Sequence, residues 1–137
     1  MRFEHWPVRL NAVIGKHRRA PHVWGRSDCI MFAAECVWAL TQKFPGEKHF
    51  GTYDDETGAL RIIAEYGGLE AMIEAALTEA GVEFERIDPA FAQRGDPCLM
   101  DDGKSVGICM GAEVLGKTLD GVESRPLTNA RICWAIR

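Results

Sequence analysis

Cys29 is the residue in this chain best placed to act as a nucleophile. It follows Trp24-Gly25-Arg26-Ser27-Asp28 and heads an apolar run, residues 30–40, in which Glu35 is the only charge. A run of that length makes three helical turns, and a helix that is apolar all round is buried on every side. Ser27 and Asp28 carry side-chain oxygens of the kind that accept from free backbone N–H groups at a helix start. Cys29 then falls in the first turn, where the positive end of the helix dipole favours a thiolate. The competing role is packing, because a free cysteine usually behaves as a small buried hydrophobe. Cys36, seven residues on and on the same face, is expected to fill the core in that way.

Composition narrows the chemistry further. With 137 residues, 47% hydrophobic and 26% charged, the chain suits one domain, 1–137, around one core. A net charge of −4 leaves no electrostatic footprint for nucleic acid. The one basic cluster, Lys16-His17-Arg18-Arg19, is expected to be a solvated helix end. No apolar run approaches the ~18 residues of a membrane span. The start, Met1-Arg2-Phe3-Glu4-His5-Trp6-Pro7, lacks the apolar core of a signal peptide. The five cysteines, at 29, 36, 98, 109 and 133, are odd in number and widely spaced, which argues against a disulfide framework. No pair has C-x-x-C spacing and no two histidines pair at ligand spacing, so neither a metal nor a cofactor is expected.

The elements that position Cys29 can be read in order. Trp6-Pro7 with Val8, Leu10, Val13 and Ile14 predicts a short amphipathic helix fading at Gly15. The central helix is predicted over about 28–42, with Trp38 packed in the core. Phe44-Pro45-Gly46 stops it, and a loop follows to Asp55. Two short helices are predicted, over about 56–66 and 69–80, split by Gly67-Gly68. Residues 82–87 then alternate apolar and polar, as a half-buried strand does. Strands are predicted at 97–100 and 105–110, joined by an Asp102-Gly103 hairpin turn, and at the end over 131–137. Residues 112–115 continue the meander, and 116–129 read as irregular and poorly ordered in a lone chain. Helices first and strands afterwards make an α+β domain, with helices packed on an antiparallel sheet.

Taken together, three motifs resemble the NlpC/P60 cysteine peptidase superfamily. They are Gly25-x-x-Asp28-Cys29 opening a buried helix, Arg94-Gly95-Asp96-Pro97 before a strand, and Val106-Gly107-Ile108-x-x-Gly111 in the next strand. More closely, the chain is similar to the small DUF6950-type proteins of phages and prophages, found among tail genes. The resemblance covers roughly residues 22–136. It implies a papain-like fold with Cys29 as nucleophile and Asp28 as its neighbour at the helix start. It also implies a catalytic histidine just before Val106, but Ser105 stands there, and a hydroxyl has no titratable base near neutral pH. The third, orienting residue of the superfamily comes from about 113–117, where this chain has no His or Asn. Among the other histidines, His22 is the one on a loop short enough to fold back toward Cys29; His49 lies beyond the far end of the helix, and His5 and His17 flank the first helix.

The resemblance therefore implies a phage-type tail-tip component that has kept the fold and lost the peptidase chemistry. Its partners would be other tail-tip or hub proteins, with loops 44–53 and 116–129 in the interface. It would reside in the virion tail, or in host cytoplasm before assembly. The alternative is an active peptidase or amidase that cuts peptidoglycan through Cys29 with an unrecognised base.

Overall fold

The computed structural model describes residues 1–137. Four helices come first: α1 (Trp6–Arg19), α2 (Cys29–Thr41), α3 (Glu56–Glu65) and α4 (Leu69–Glu79). Six strands follow: β1 (Glu85–Ile87), β2 (Pro97–Met100), β3 (Val106–Cys109), β4 (Glu113–Thr118), β5 (Gly121–Pro126) and β6 (Ala130–Ala135). They form one sheet in the order β1-β6-β2-β3-β4-β5, and every pairing is antiparallel. The architecture is α+β, as the order of helical and alternating segments predicts.

Helix α1 does not fade at Gly15. Its face of Leu10, Val13 and Ile14 is buried, and each such side chain is worth about 1.5–3 kcal/mol when fully covered. That outweighs the ~1 kcal/mol a mid-helix glycine costs. The extra turn also brings His17 inward, 1% exposed, so the basic cluster is not simply a solvated end. His17 Nδ1 lies 3.0 Å from Ser27 Oγ and its Nε2 3.1 Å from Glu35 Oε1, joining α1 to the start and middle of α2.

Helix α2 is the buried centre. Met31, Phe32, Cys36, Val37, Ala39 and Leu40 are each almost wholly covered, packed between α1 and the sheet. Trp38 is the exception and corrects the expectation that it fills the core: it is 38% exposed. Glu35, Trp38 and Gln42 share one helical stripe, and that stripe runs alongside the polar flank of α1. Arg9 covers the indole there, its guanidinium carbon 4.8 Å from the ring centre.

The sheet buries both faces. Leu99, Val106, Ile108, Leu115 and Trp134 face the helices, and the Trp134 indole N–H donates to Glu74 Oε2 at 2.9 Å. Cys98, Met100, Cys109, Val114 and Cys133 make a smaller cluster on the other face, covered by Ile87, Ala92, Leu127 and Ala130. Successive strand residues pointing to opposite faces produce this division. Two strand expectations need correction. The segment from 82 is paired only over Glu85–Ile87, because its one partner, β6, reaches no further than Ala135. Residues 116–129 are not irregular: most of them form the rest of β4, a two-residue turn at Leu119-Asp120, and β5.

Asp96, in the turn before β2, is fully buried and holds both ends of the chain. Its Oδ1 accepts from Arg2 Nη2 (3.0 Å), Arg137 Nη1 (2.6 Å) and the Ile136 N–H (3.1 Å). Its Oδ2 accepts from the Gln93 N–H at 2.8 Å.

Candidate functional site

Asp28 is the N-cap of α2 and the structural root of the site. Its Oδ1 accepts from the Met31 N–H at 2.8 Å, so the cap falls to Asp28, while Ser27 turns to His17. Its Oδ2 accepts from the Gly25 N–H (2.8 Å) and the Tyr53 hydroxyl (2.5 Å). Tyr53 is thereby clamped, and its phenol is pushed well above its ordinary range by burial and by Asp28. Gly25 has φ +80°, and a Cβ there would lie 2.2 Å from the Tyr53 carbonyl oxygen, so only glycine lets these two loops meet.

Cys29 sits one residue beyond the cap, half-buried, while the other four cysteines are buried. Its thiol faces a cleft at the parting of β3 and β4. These strands pair at Ile108–Leu115 and Cys109–Val114, and the pairing stops toward Val106. Ser105 and Gly107 form one wall; Gly116, Lys117 and Thr118 form the other, with Glu123 and Arg125 at the rim on β5. Burial raises the thiol pKa first and Asp28 second, to about 11, against the opposing pull of the Val106, Cys29 and Ile30 N–H groups. Here desolvation and a neighbouring carboxylate overcome the helix dipole. Arg26 gives no help: its guanidinium lies over the Phe50 ring, 5.3 Å from the centre.

The structure brings Asp28, Cys29 and Ser105 to one place. Ser105 lines the cleft with Cys29, but its Oγ leans to the Asp102 carboxylate at 3.3 and 3.4 Å. No histidine lines the cleft. His22 lies edge-on to Trp24 in a separate hollow with Arg18, Leu119 and Asp120, so the loop does not fold it back to Cys29. His17 is held between Ser27 and Glu35, His49 Nε2 meets the Tyr66 hydroxyl at 2.8 Å, and His5 is exposed beside Glu4. No group of three His, Cys, Asp or Glu side chains is placed to hold a metal ion.

Lys117 is the cleft residue that sequence reasoning missed. It is 2% exposed, and its Nζ donates to the carbonyls of His17 and of Ala20 (2.6 Å), the free carbonyl end of α1. Burial lowers its pKa. A signal was available: in 113–118, Leu115 and Lys117 share one face of the strand, so Lys117 stands at an inward position.

A thiol raised from 9 to about 11 carries on the order of 100-fold less thiolate near pH 8 than an unperturbed one. Iodoacetamide should therefore label Cys29 slowly at pH 8, with the rate climbing as pH rises through 10 to 11. Cys109 is drawn down to about 7 by its contact with Cys98, yet it is fully buried and should react only through opening. Peptide mapping by mass spectrometry at each pH separates the two. A Cys29 rate that levels off near pH 6 would overturn this account of the site.

No helix is long and apolar enough to cross a membrane. No curated protein matches the chain, and no solved structure does. A family model described as "Domain of unknown function (DUF6950)" matches residues 1–136. The chain thus belongs to the DUF6950 family.

Proposed function

We propose that this chain is a phage-type tail-tip component built on a papain-like, NlpC/P60-like fold and devoid of peptidase chemistry. The observation that carries the reading is the cleft itself: a cysteine at the head of a buried helix, beside a sheet strand, with Ser105 and no imidazole where a base is needed. A thiol held near pKa 11 with no general base neither attacks an acyl carbon efficiently nor returns a proton to the leaving group. With catalysis gone, the fold's use is to hold neighbours. The surfaces offered are the loop 44–53, with Phe50 45% exposed, and β5, an edge strand whose residues 123–126 are all exposed. A free strand edge is a ready template for a partner chain.

Hydrogen exchange on the isolated chain and on assembled particles tests this. Residues 44–53 and 121–126 should gain protection on assembly. Equal protection in both states would remove the docking role.

The alternative, an active peptidase or amidase acting on peptidoglycan, is favoured by one observation: Cys29 lines an open cleft at a helix start, where the backbone N–H groups of Val106 and Ile30 favour the thiolate. Release of peptide fragments from purified peptidoglycan, lost in C29A, would establish that reading instead.

A further inference from the structure

We infer that Cys98 and Cys133 form a site of reversible oxidation, a thiol pair that a hydroperoxide converts to a disulfide joining β2 to β6. The inference goes beyond the reading above and does not depend on it.

The thiols are gathered on one face of the sheet. Strands β6, β2 and β3 are neighbours in that order and carry Cys133, Cys98 and Cys109. All three are free, fully buried and packed with Met100 and Val114 on the face turned away from the main core. Cysteine supplies three of the five buried residues there, but only one, Cys36, of the eighteen in the helix-facing core. Filling that face would need only valine or isoleucine, so packing alone does not account for so much sulfur.

Register selects the pair. Cys98 and Cys133 stand directly opposite each other across the β2–β6 ladder. Opposed residues of antiparallel strands have Cα atoms about 4.5–5.5 Å apart, inside the roughly 4.4–6.8 Å that a disulfide spans. Cys109 stands two residues beyond Gly107, the partner of Cys98, on a diagonal of about 7–8 Å. A disulfide does not bridge that without moving the backbone. The Cys109 thiol donates instead to the Gly111 carbonyl oxygen at 3.4 Å. The cover over the cluster is thin, two single-turn segments, Pro89–Phe91 and Leu127–Asn129, with Ile87, Ala92 and Ala130 beside them. Local opening of such turns admits a molecule as small as hydrogen peroxide. One sulfur takes an oxygen from the peroxide as a sulfenic acid, and hydroxide leaves with the thiol proton as water. The second sulfur displaces that oxygen, which departs with the second proton as another water, and the S–S bond forms. Two thiols lose two electrons and the peroxide gains them. The bond then pins the last strand of the sheet to its middle.

The test is exposure of the folded full chain to hydrogen peroxide, followed by peptide mapping of the monomer without reductant. Trypsin cuts after Arg94, Lys104, Lys117 and Arg131, which places the three cysteines on separate peptides. The expected product is peptide 95–104 linked to peptide 132–137, with dithiothreitol releasing the two. C109S should leave that link in place, and C133S should abolish it. The linked chain should unfold at a urea midpoint higher by about 1 M or more, because the bond constrains the unfolded state. Where a variant does not fold, the wild-type map and midpoint decide. A main product linked through Cys109, sulfinic acid in place of a bond, or an unchanged map would each overturn the inference. So would a link that forms only in urea, or a midpoint that stays put or falls in the linked chain.

Discussion

Replacing Asp96 with alanine should lower the unfolding free energy by about 3–5 kcal/mol, the cost of leaving buried charge without its partner. Asp96 is fully buried and is the ionic partner of both Arg2 and Arg137. Arg2 is largely buried too, its guanidinium also donating to the carbonyls of Ile136 (2.7 Å) and Arg94 (2.7 Å), so it cannot simply swing into water. Without Asp96, the N–H groups of Gln93 and Ile136 also lose their acceptor. Burial lowers the Arg2 pKa while Asp96 raises it, and only the second influence goes with the mutation. Against a typical total of about 5–15 kcal/mol, this loss is enough to unfold a marginal domain at 37 °C. D96N should be nearly as harmful, because its amide N–H₂ meets guanidinium donors. Urea denaturation followed by circular dichroism measures both variants. A loss below ~1 kcal/mol would mean that Asp96 does not hold the chain ends together.

The second large effect is expected at Asp28, where stability and reactivity move in opposite directions. D28A removes a helix cap, worth about 0.5–2 kcal/mol, and orphans the buried Tyr53 hydroxyl and Gly25 N–H. A total loss of about 2–4 kcal/mol follows. The same change removes the carboxylate that ranks second among the causes raising the Cys29 pKa, so the thiol becomes easier to ionise. D28N removes the charge while its amide oxygen still caps Met31; its N–H₂ can donate to the Tyr53 hydroxyl but faces the Gly25 N–H, so the comparison is made on folded protein. Alkylation of Cys29 in folded D28N should therefore be faster than in wild type at every pH from 8 to 10. A slower or unchanged rate would show that burial alone sets the thiol.

These two aspartates show what was legible in the sequence. Asp28 before an apolar run announces a helix cap, and the helix begins one residue later, at Cys29. Nothing in Arg94-Gly95-Asp96-Pro97 says that Asp96 binds residues near 2 and 137, because that contact depends on how the sheet closes. Trp38 misled for a similar reason. Its type favours burial, but the stripe of α2 it occupies is set by where α1 lies. The β4–β5 hairpin was hidden by a different cause. One side of β5 is open to solvent, so its residues carry little of the apolar pattern from which strands are read, and the Asp120-Gly121 turn signal stood alone. The position of Cys29 could be read locally, whereas its high pKa could not, because Val106 and the covering strands arrive from across the chain.

The order of the sheet has a bearing on how the protein comes into being. The last of these six strands to be made, β6, lies between β1 and β2, and it is the only neighbour β1 has in the sheet. Until residues 130–135 leave the ribosome, β1 hangs unpaired and β2 shows a bare inner edge, with Cys98 and Leu99 beside the vacancy. The helical half, rich in near-neighbour contacts, can gather early; the sheet can be sealed only once β6 has emerged. A nascent chain stalled a few residues short is thus a chain with two sticky edges, and it is at that moment, more than in its finished state, that it needs protection from its own kind.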